Sequence, residues 1–489
     1  MMAVDKGSSS MTARPGSQAP DSEPARGSGL YTAALLLAIL TRLVFILLPR
    51  VPLETKAVAS IGDSREYIAL AHNLVSSHTF TRDTVPPFRP ELFRTPGYPL
   101  LLVLPFAVFG PSLVWPLLLQ LLLSLATVWL TRRLALELGL GPVTSAFAAL
   151  LVGLSPNLAF LSSKLVSEAL FIPMLLVCVL LLNRYRLSGR TLDLIGTGVC
   201  CGLLVLVRPI ATFFPLVIAV YVLWLRFGDR KWPLGVAHSA LLLACASMVV
   251  APWVIRNGTK TGRYIVSTAS EHNVHLYDAA TVVAAEKGIT IPQARDSMWA
   301  EAERKFGPID TNDEASMWKK LAAVARPHLM RRPALAAPVW LFGVSADFLN
   351  PISVGPLLIH AGSSPSLGSR NLLQTSLGLL MKGRVTQAFS TAWRVRVGGA
   401  PLFILVVLAC AALFNLILIW FGFASLFLRR ARGLFWLLLP ILYFTLVTGT
   451  VGDARFRAPI EPLLCLFAAV ALTRPPTAVR AKPQDLPVD

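Results

Sequence analysis

The sequence predicts an all-α polytopic membrane protein with about ten transmembrane helices. Three observations carry that expectation. Of the 489 residues, 55% are apolar and only 15% charged, whereas a soluble domain carries about a quarter charged residues to coat its surface. The mean hydropathy is +0.63. Apolar runs near the ~20 residues that span a hydrocarbon core recur along the chain. A soluble globule, a coiled coil and a disordered chain are excluded.

The elements follow in order. Residues 1–29 are polar and rich in Ser, Gly and Pro, which predicts a disordered cytoplasmic tail. The apolar run from Leu30 to Leu48 has no small-residue cleavage site after it, so it is read as a retained first span rather than a signal peptide. Further apolar segments fall at 113–131, 142–156, 165–183, 191–207, 210–226, 235–254, 402–428, 433–450 and 457–473. The short basic connections Arg132-Arg133, Arg184 to Arg190, Arg226 to Lys231 and Arg429 to Arg432, with the tail after Arg474, all fall inside if the amino terminus is cytoplasmic. The stretch 97–110 is apolar but only 14 residues long and holds prolines. That length suits a membrane-dipping element. A similar short apolar dip lies near 335–349, after an amphipathic stretch at 295–322.

This pattern divides the chain into five parts. After the tail comes an N-terminal transmembrane module, 30–255, whose first loop is 51–96. A large non-cytoplasmic loop covers 256–399, C-terminal transmembrane helices cover 400–475, and a cytoplasmic tail covers 476–489. No internal repeat is visible. The excess of 45 basic over 26 acidic residues gives a net charge of +19. Basic flanks facing anionic lipid explain it better than nucleic acid, which is not an expected partner. The six cysteines lie in apolar stretches without a CxxC pair, against a zinc site or disulfide scaffold.

The polar chemistry gathers on one side. Asp63 stands in GDSREYIALAHNL, ahead of a short amphipathic helix. Two readings stand together: Asp63-x-x-Glu66 is a capping box, or Asp63 is a carboxylate placed to take a proton from an incoming hydroxyl. Arg94 precedes Thr95-Pro96-Gly97-Tyr98-Pro99, a turn-forming run that aims it at headgroup level. Its planar fork suits a phosphate, or simply any lipid headgroup. Glu168 opens an apolar span. Such an acid is either a functional group or the local partner of Lys164 one turn earlier.

Arg42 sits about eight residues inside the first span, ~12 Å at helical rise, and needs an interior partner. Arg208, Arg256, Arg455 and Arg457 end spans on the side the charge rule makes external. Several together call for an anionic ligand there. Tyr67 and Tyr98 complete the candidate cleft. Glu271-His272-x-x-His275 has a spacing a metal could use, but no third ligand is evident and no metal site is predicted. Asn257-Gly258-Thr259 is a formal glycosylation acceptor. No Gly-rich phosphate loop or GxSxG elbow is present.

The order GDSREYIALAHNL, RTPGYPLLLVLPFAVFG, SPNLAFLSSKLVSEALF, LVRPIATFFP, APWVIRN and ARFRAPIEP resembles the GT-C membrane glycosyltransferases, among them protein O-mannosyltransferases and the aminoarabinose transferase of lipid A. The similarity covers about residues 30–475. It implies a polyprenyl-phosphate-linked sugar as donor, inverting transfer to a glycan, lipid or protein acceptor on the non-cytoplasmic side, and residence in a bacterial inner membrane. It further implies Asp63 as the catalytic carboxylate with Glu168 at a second acidic position of the catalytic cleft, and Arg94 as the donor-phosphate ligand, to which the charge at the span ends adds Arg256 and Arg455 as candidates. Ser64 departs from mannosyltransferase relatives, which often carry a second acid there, so neither mannose nor a protein acceptor follows. Two other classes stay open: a transporter or lipid flippase, and an O-antigen-type ligase or polymerase using a diphosphate-linked oligosaccharide.

Overall fold

The computed structural model describes residues 23–47, 62–228, 231–353, 402–450 and 452–473, with isolated positions between 357 and 391. The predicted tail 476–489, most of the tail 1–29 and parts of both long loops lie outside the described residues. Those described are helical, with no strand among them.

Helix α1 (Glu23–Leu47) begins inside the stretch predicted to be a disordered tail, and there Gly27 is buried against Pro142. There follow α2 (Gly62–Ser76), α3 (Gly97–Phe109), α4 (Val114–Glu137), α5 (Pro142–Leu154), α6 (Pro156–Ser162), α7 (Glu168–Ser188), α8 (Thr191–Val207), α9 (Phe214–Gly228) and α10 (Trp232–Thr261). A helical lobe comes next: α11 (Ala269–Asn273), α12 (Ala280–Lys287), α13 (Ile291–Phe306) and α14 (Glu314–Arg331). The chain then returns through α15 (Pro333–Leu349), α16 (Leu402–Ser425), α17 (Leu438–Val447), α18 (Ala454–Arg457) and α19 (Glu461–Leu472).

Among the described residues, seven helices are long and apolar enough to cross a membrane. The pair α5 and α6, bent by 57°, makes an eighth if counted as one span. The 17-residue α8 and the 12-residue α19 are apolar but shorter, so the expected ten spans are compatible with the helices observed. Helix α3 has 13 residues, too few to cross an undistorted bilayer at 1.5 Å per residue. Arg132 and Arg133 do not form a loop as expected. They lie within α4, which continues to Glu137, where Arg133 and Arg184 both pair with the Glu137 carboxylate.

Lipid-facing side chains such as Leu122 and Trp420 stay exposed, as a hydrocarbon solvent allows. Inside the bundle, small residues set the spacing. A Cβ at Gly198 would stand 2.7 Å from the Leu242 carbonyl oxygen, and one at Gly202 would stand 2.6 Å from that of Ala246. This Gly-x-x-x-Gly face is what lets α8 and α10 cross backbone to backbone. The lobe 269–331 has a separate apolar core built on Ala280, Val283, Met298, Leu321 and Ala325.

Two buried arginines fasten helix ends. Arg42 donates from Nη2 to the Val152 carbonyl at 3.1 Å, from Nη1 to that of Gly153, and from Nε to Ser124 Oγ at 3.0 Å. It thereby serves the last carbonyls of α5, which have no intrahelical partner and carry the negative helix end. Ser155 and Pro156 then restart the chain as α6, the Ser155 hydroxyl accepting from Leu158 N. Arg457 does the same for α15, donating to the carbonyls of Asp347, Phe348, Asn350 and Pro351 at 2.9–3.3 Å. Glu461 joins the two regions: it accepts from Asn157 Nδ2 at 2.9 Å and from the Ser155 hydroxyl, and lies 3.4 Å from Arg457 Nε.

Candidate active site

The other arginines meet carboxylates instead. Asp63 enters on the first turn of α2, Arg94 on the turn before α3, Glu168 at the start of α7, Arg208 at the end of α8 and Arg455 on α18. Arg208 Nη1 lies 2.5 Å from Glu168 Oε1. Arg455 bridges the two acids, reaching Glu168 Oε2 at 3.0 Å and Asp63 Oδ2 at 2.6 Å. Arg94 lies 2.5 Å from Asp63 Oδ1 and 2.5 Å from Glu66 Oε2. Glu66 continues to Arg82 at 3.2 Å, and Arg82 crosses to Glu314 on α14 at 3.0 Å. Eight side chains of alternating sign therefore run unbroken from the bundle to the lobe. Each of Asp63, Glu66 and Glu168 has two arginines.

The local sequence explains the aim of Arg94. Buried Glu91 turns its Oε1 onto the backbone amides of Phe93 at 2.6 Å and Arg94 at 2.8 Å, while its other oxygen takes Arg82. Thr95 and Pro96 then lead into α3. The Arg94 guanidinium lies over the rings of Phe93 and Tyr67, 4.5 and 5.2 Å from their centroids. Tyr67 donates to Ser167 Oγ at 3.1 Å and meets Tyr98 edge-on at 4.8 Å. The Tyr98 hydroxyl is buried and has no hydrogen-bond partner among the described residues.

Asp63 and Glu66 direct their oxygens to arginines. Glu168, fully buried, pairs with Arg208 and Arg455. Burial pushes the Asp63 carboxyl up, and the guanidinium groups of Arg455 and Arg94 more than reverse it, holding it well below the usual carboxylate range.

Arg256, expected at the donor phosphate, is turned onto backbone: it donates to the carbonyls of Glu91 at 2.8 Å and Phe80 at 3.3 Å, and lies against the rings of Phe80 and Trp253. Arg42 and Arg457 hold helix ends as described. The sequence reading passed over Arg82, Glu91 and Ser167, whose roles depend on contacts between distant segments. Of the weaker motifs, His272 is wedged between Phe93 at 4.6 Å and Trp318 at 4.5 Å, His275 is buried, and Glu271 pairs with Arg263 at 2.6 Å. Among the described residues no group of three or more His, Cys, Asp or Glu side chains converges as a metal site. Asn257 is buried and donates to the Ile265 carbonyl at 2.9 Å, so its amide is committed within the fold.

An all-α polytopic membrane protein with arginines and carboxylates interleaved at the ends of its helices defines the class. Residues 93–255, about a third of the chain, match the family of dolichyl-phosphate-mannose-protein mannosyltransferases. That segment runs from Phe93 to the residue before Arg256 and contains Arg94, Tyr98, Glu168 and Arg208. Over those residues the resemblance expected from the sequence is borne out.

Solved structures add two likenesses. One is the archaeal oligosaccharyltransferase AglB from Archaeoglobus fulgidus, in complex with an inhibitory peptide and a dolichol-phosphate. It is 14% identical, with a TM-score of 0.47, over 90% of this chain and 50% of that one. The other is ArnT from Cupriavidus metallidurans bound to undecaprenyl phosphate, 13% identical, with a TM-score of 0.42, over 91% of this chain and 78% of that one. The chain spans about half the length of the archaeal enzyme. No curated protein matches it in sequence.

Proposed function

We propose that this chain is an inverting glycosyltransferase that moves a monosaccharide from a polyprenyl-phosphate carrier to an acceptor hydroxyl on the non-cytoplasmic side of a bacterial inner membrane. The single observation that carries the reading is Arg455 held between Asp63 and Glu168. Arg94, Arg455 and Arg208 converge on Asp63 and Glu168, and Arg94 is shared with Glu66, so three guanidinium groups stand together where a phosphate could exchange places with a carboxylate.

The chemistry follows from that sharing of arginines. The acceptor oxygen attacks the anomeric carbon as its bond to the phosphate oxygen breaks. The electron pair leaves with the polyprenyl phosphate, and the acceptor proton passes to Asp63. Without donor, Asp63 is a weak base because two guanidinium groups hold its charge. A phosphate that draws Arg94 and Arg455 toward itself releases Asp63 and makes it more basic. The same arginines then stabilise the charge that develops on the leaving phosphate in a poorly hydrated cleft. Glu168 keeps Arg208 and Arg455 on the phosphate side and so positions them.

The test is to reconstitute the protein in nanodiscs with polyprenyl-phosphate monosaccharides and follow release of polyprenyl phosphate by mass spectrometry. Release from one donor is expected, with loss in Asp63→Asn. Equal release by a folded Asp63→Asn protein refutes the role of Asp63.

A further inference from the structure

The alternating charges do not stop at the cleft. Where Arg82 crosses to Glu314, the structure forms a cavity of about 480 Å³, open on one side, within the size range of small-ligand sites. Three distant stretches wall it: the first loop at 81–92, the end of α10 at Lys260 and Thr261, and residues 312–315 at the start of α14. Arg82, Arg89 and Lys260 bring donors, and Asp83, Asp313 and Glu314 bring acceptors. Several already offset one another, Arg89 with Asp83 at 2.6 Å and Arg82 with Glu314 at 3.0 Å. Counting Glu91, the walls carry three basic and four acidic side chains, most of them offset by one another, so no positive surplus draws an anion. They offer fixed donors and acceptors side by side, which suits a ligand whose every hydroxyl both donates and accepts.

Helix α14 adds a second feature. Glu314 and Trp318 are four residues apart, so they share a helix face. Glu314 reaches Arg82, and Trp318 reaches His272, which meets the Phe93 ring at a tilt of 51°, Phe93 lying beneath Arg94. All three rings keep partial exposure. The rings are not part of the lining but continue from it, Phe93 next to Leu92 and Trp318 one helical turn from Glu314, so a glycan with one sugar's hydroxyls hydrogen-bonded in the cavity can rest the C–H face of the next on aromatic carbon. The apolar lining, Pro90, Leu92 and Ala315, is too slight for a lipid chain.

We infer that this cavity and its aromatic run form the acceptor subsite, and that the part of the acceptor it takes is a neutral, hydroxyl-rich glycan end. The inference rests on the reading of Asp63 as the base. Arg82 and Glu91 line the cavity and also touch Glu66 and the Arg94 turn, so a glycan seated here is linked to Asp63 through Arg82, Glu66 and Arg94.

The experiment is saturation-transfer NMR on the full chain in nanodiscs without donor. The probes are trisaccharides of glucose, mannose, galactose and N-acetylglucosamine, each at ~10 mM to detect millimolar affinity, beside a Ser/Thr-rich peptide. At least one trisaccharide is expected to be saturated through its ring C–H protons, unchanged in Asp63→Asn. The signal falls by at least about threefold in Trp318→Ala, the loss of one aromatic contact. Trp318→Phe, which keeps a ring against His272, retains part of it, and Asn312→Ala, at an exposed lining position, weakens it independently. Saturation of the peptide instead, of no saccharide, or of saccharides equally in wild type, Trp318→Ala and Asn312→Ala, overturns the inference. Donor cleavage is measured separately. Asp63-dependent release of polyprenyl phosphate with no saccharide binding removes this subsite alone, whereas saccharide binding with no donor cleavage removes the reading of the reaction.

Discussion

Two sets of arginines in this protein are buried for opposite ends. Arg42 and Arg457 are almost wholly enclosed and give their protons chiefly to backbone carbonyls at the ends of α5 and α15. Arg94, Arg208 and Arg455 keep 12–18% of their side-chain surface and give theirs to carboxylates shared between two guanidinium groups. Backbone carbonyls cannot leave, so the first set is fixed. Shared carboxylates can exchange one partner for another, so the second set can be lent to a ligand. What separates a structural arginine from a chemical one is thus the identity of its acceptor rather than its depth.

The comparison breaks most sharply on Arg457. Arg457→Met strands four carbonyls and Glu461, and a buried pair broken on one side costs on the order of 3–5 kcal/mol. We expect most of the protein to be lost from the monodisperse peak on size exclusion, with Arg42→Met similar. A well-folded Arg457→Met protein would remove the distinction.

Arg94→Gln comes next and acts differently. Asp63 retains Arg455 and Glu66 retains Arg82, so thermal unfolding shifts little. The apparent KM for donor rises by about 10–100-fold, the worth of one or two charged hydrogen bonds. A large stability loss with unchanged KM would place Arg94 with Arg457.

Glu91→Gln tests aim rather than charge. It weakens the acceptor for two backbone amides that set the Arg94 turn, and a small misplacement is expected to lower kcat/KM by about 10-fold while the fold survives.

The smallest effect concerns pH. Burial, reinforced by Arg295 and His272, lowers His275 from 6.5 to about 4. The unfolded lobe therefore binds more protons between those values, and stability rises with pH. That contribution is complete above pH 6.5 and is lost as pH falls toward 4. Hydrogen exchange in 269–331, corrected for intrinsic rate, should quicken between pH 7 and 5. Asp63, held low, contributes stability that is fully present above its unfolded range and lost only at strongly acid pH, so α2 should not respond over the same interval.

Much of this was readable beforehand. Apolar runs and basic flanks located the spans because the bilayer makes hydropathy a near-direct constraint. Asp63, Arg94, Glu168 and Arg455 stood out because charge at a span end calls for a reason. Arg256 met the same criterion, and its use on the Glu91 and Phe80 carbonyls was invisible because nothing in APWVIRN distinguishes a backbone partner from a phosphate. Arg82, Glu91 and Glu314 lay in loops of mixed charge, where only the tertiary crossing of α14 over the first loop selects them. The first turns of α1 lie where Gly27 packs against Pro142, a contact that no local pattern encodes.

The central claim is that Asp63 is a base held in reserve by arginines that the donor phosphate takes over. The direct measurement is polyprenyl-phosphate release from a polyprenyl-phosphate monosaccharide by wild type and Asp63→Asn, each checked for donor binding by thermal shift. The account predicts donor binding by both proteins and a fall in release of about 10²–10⁴-fold in the variant, the usual contribution of a general base. Undiminished release by an Asp63→Asn protein that still binds donor would contradict it.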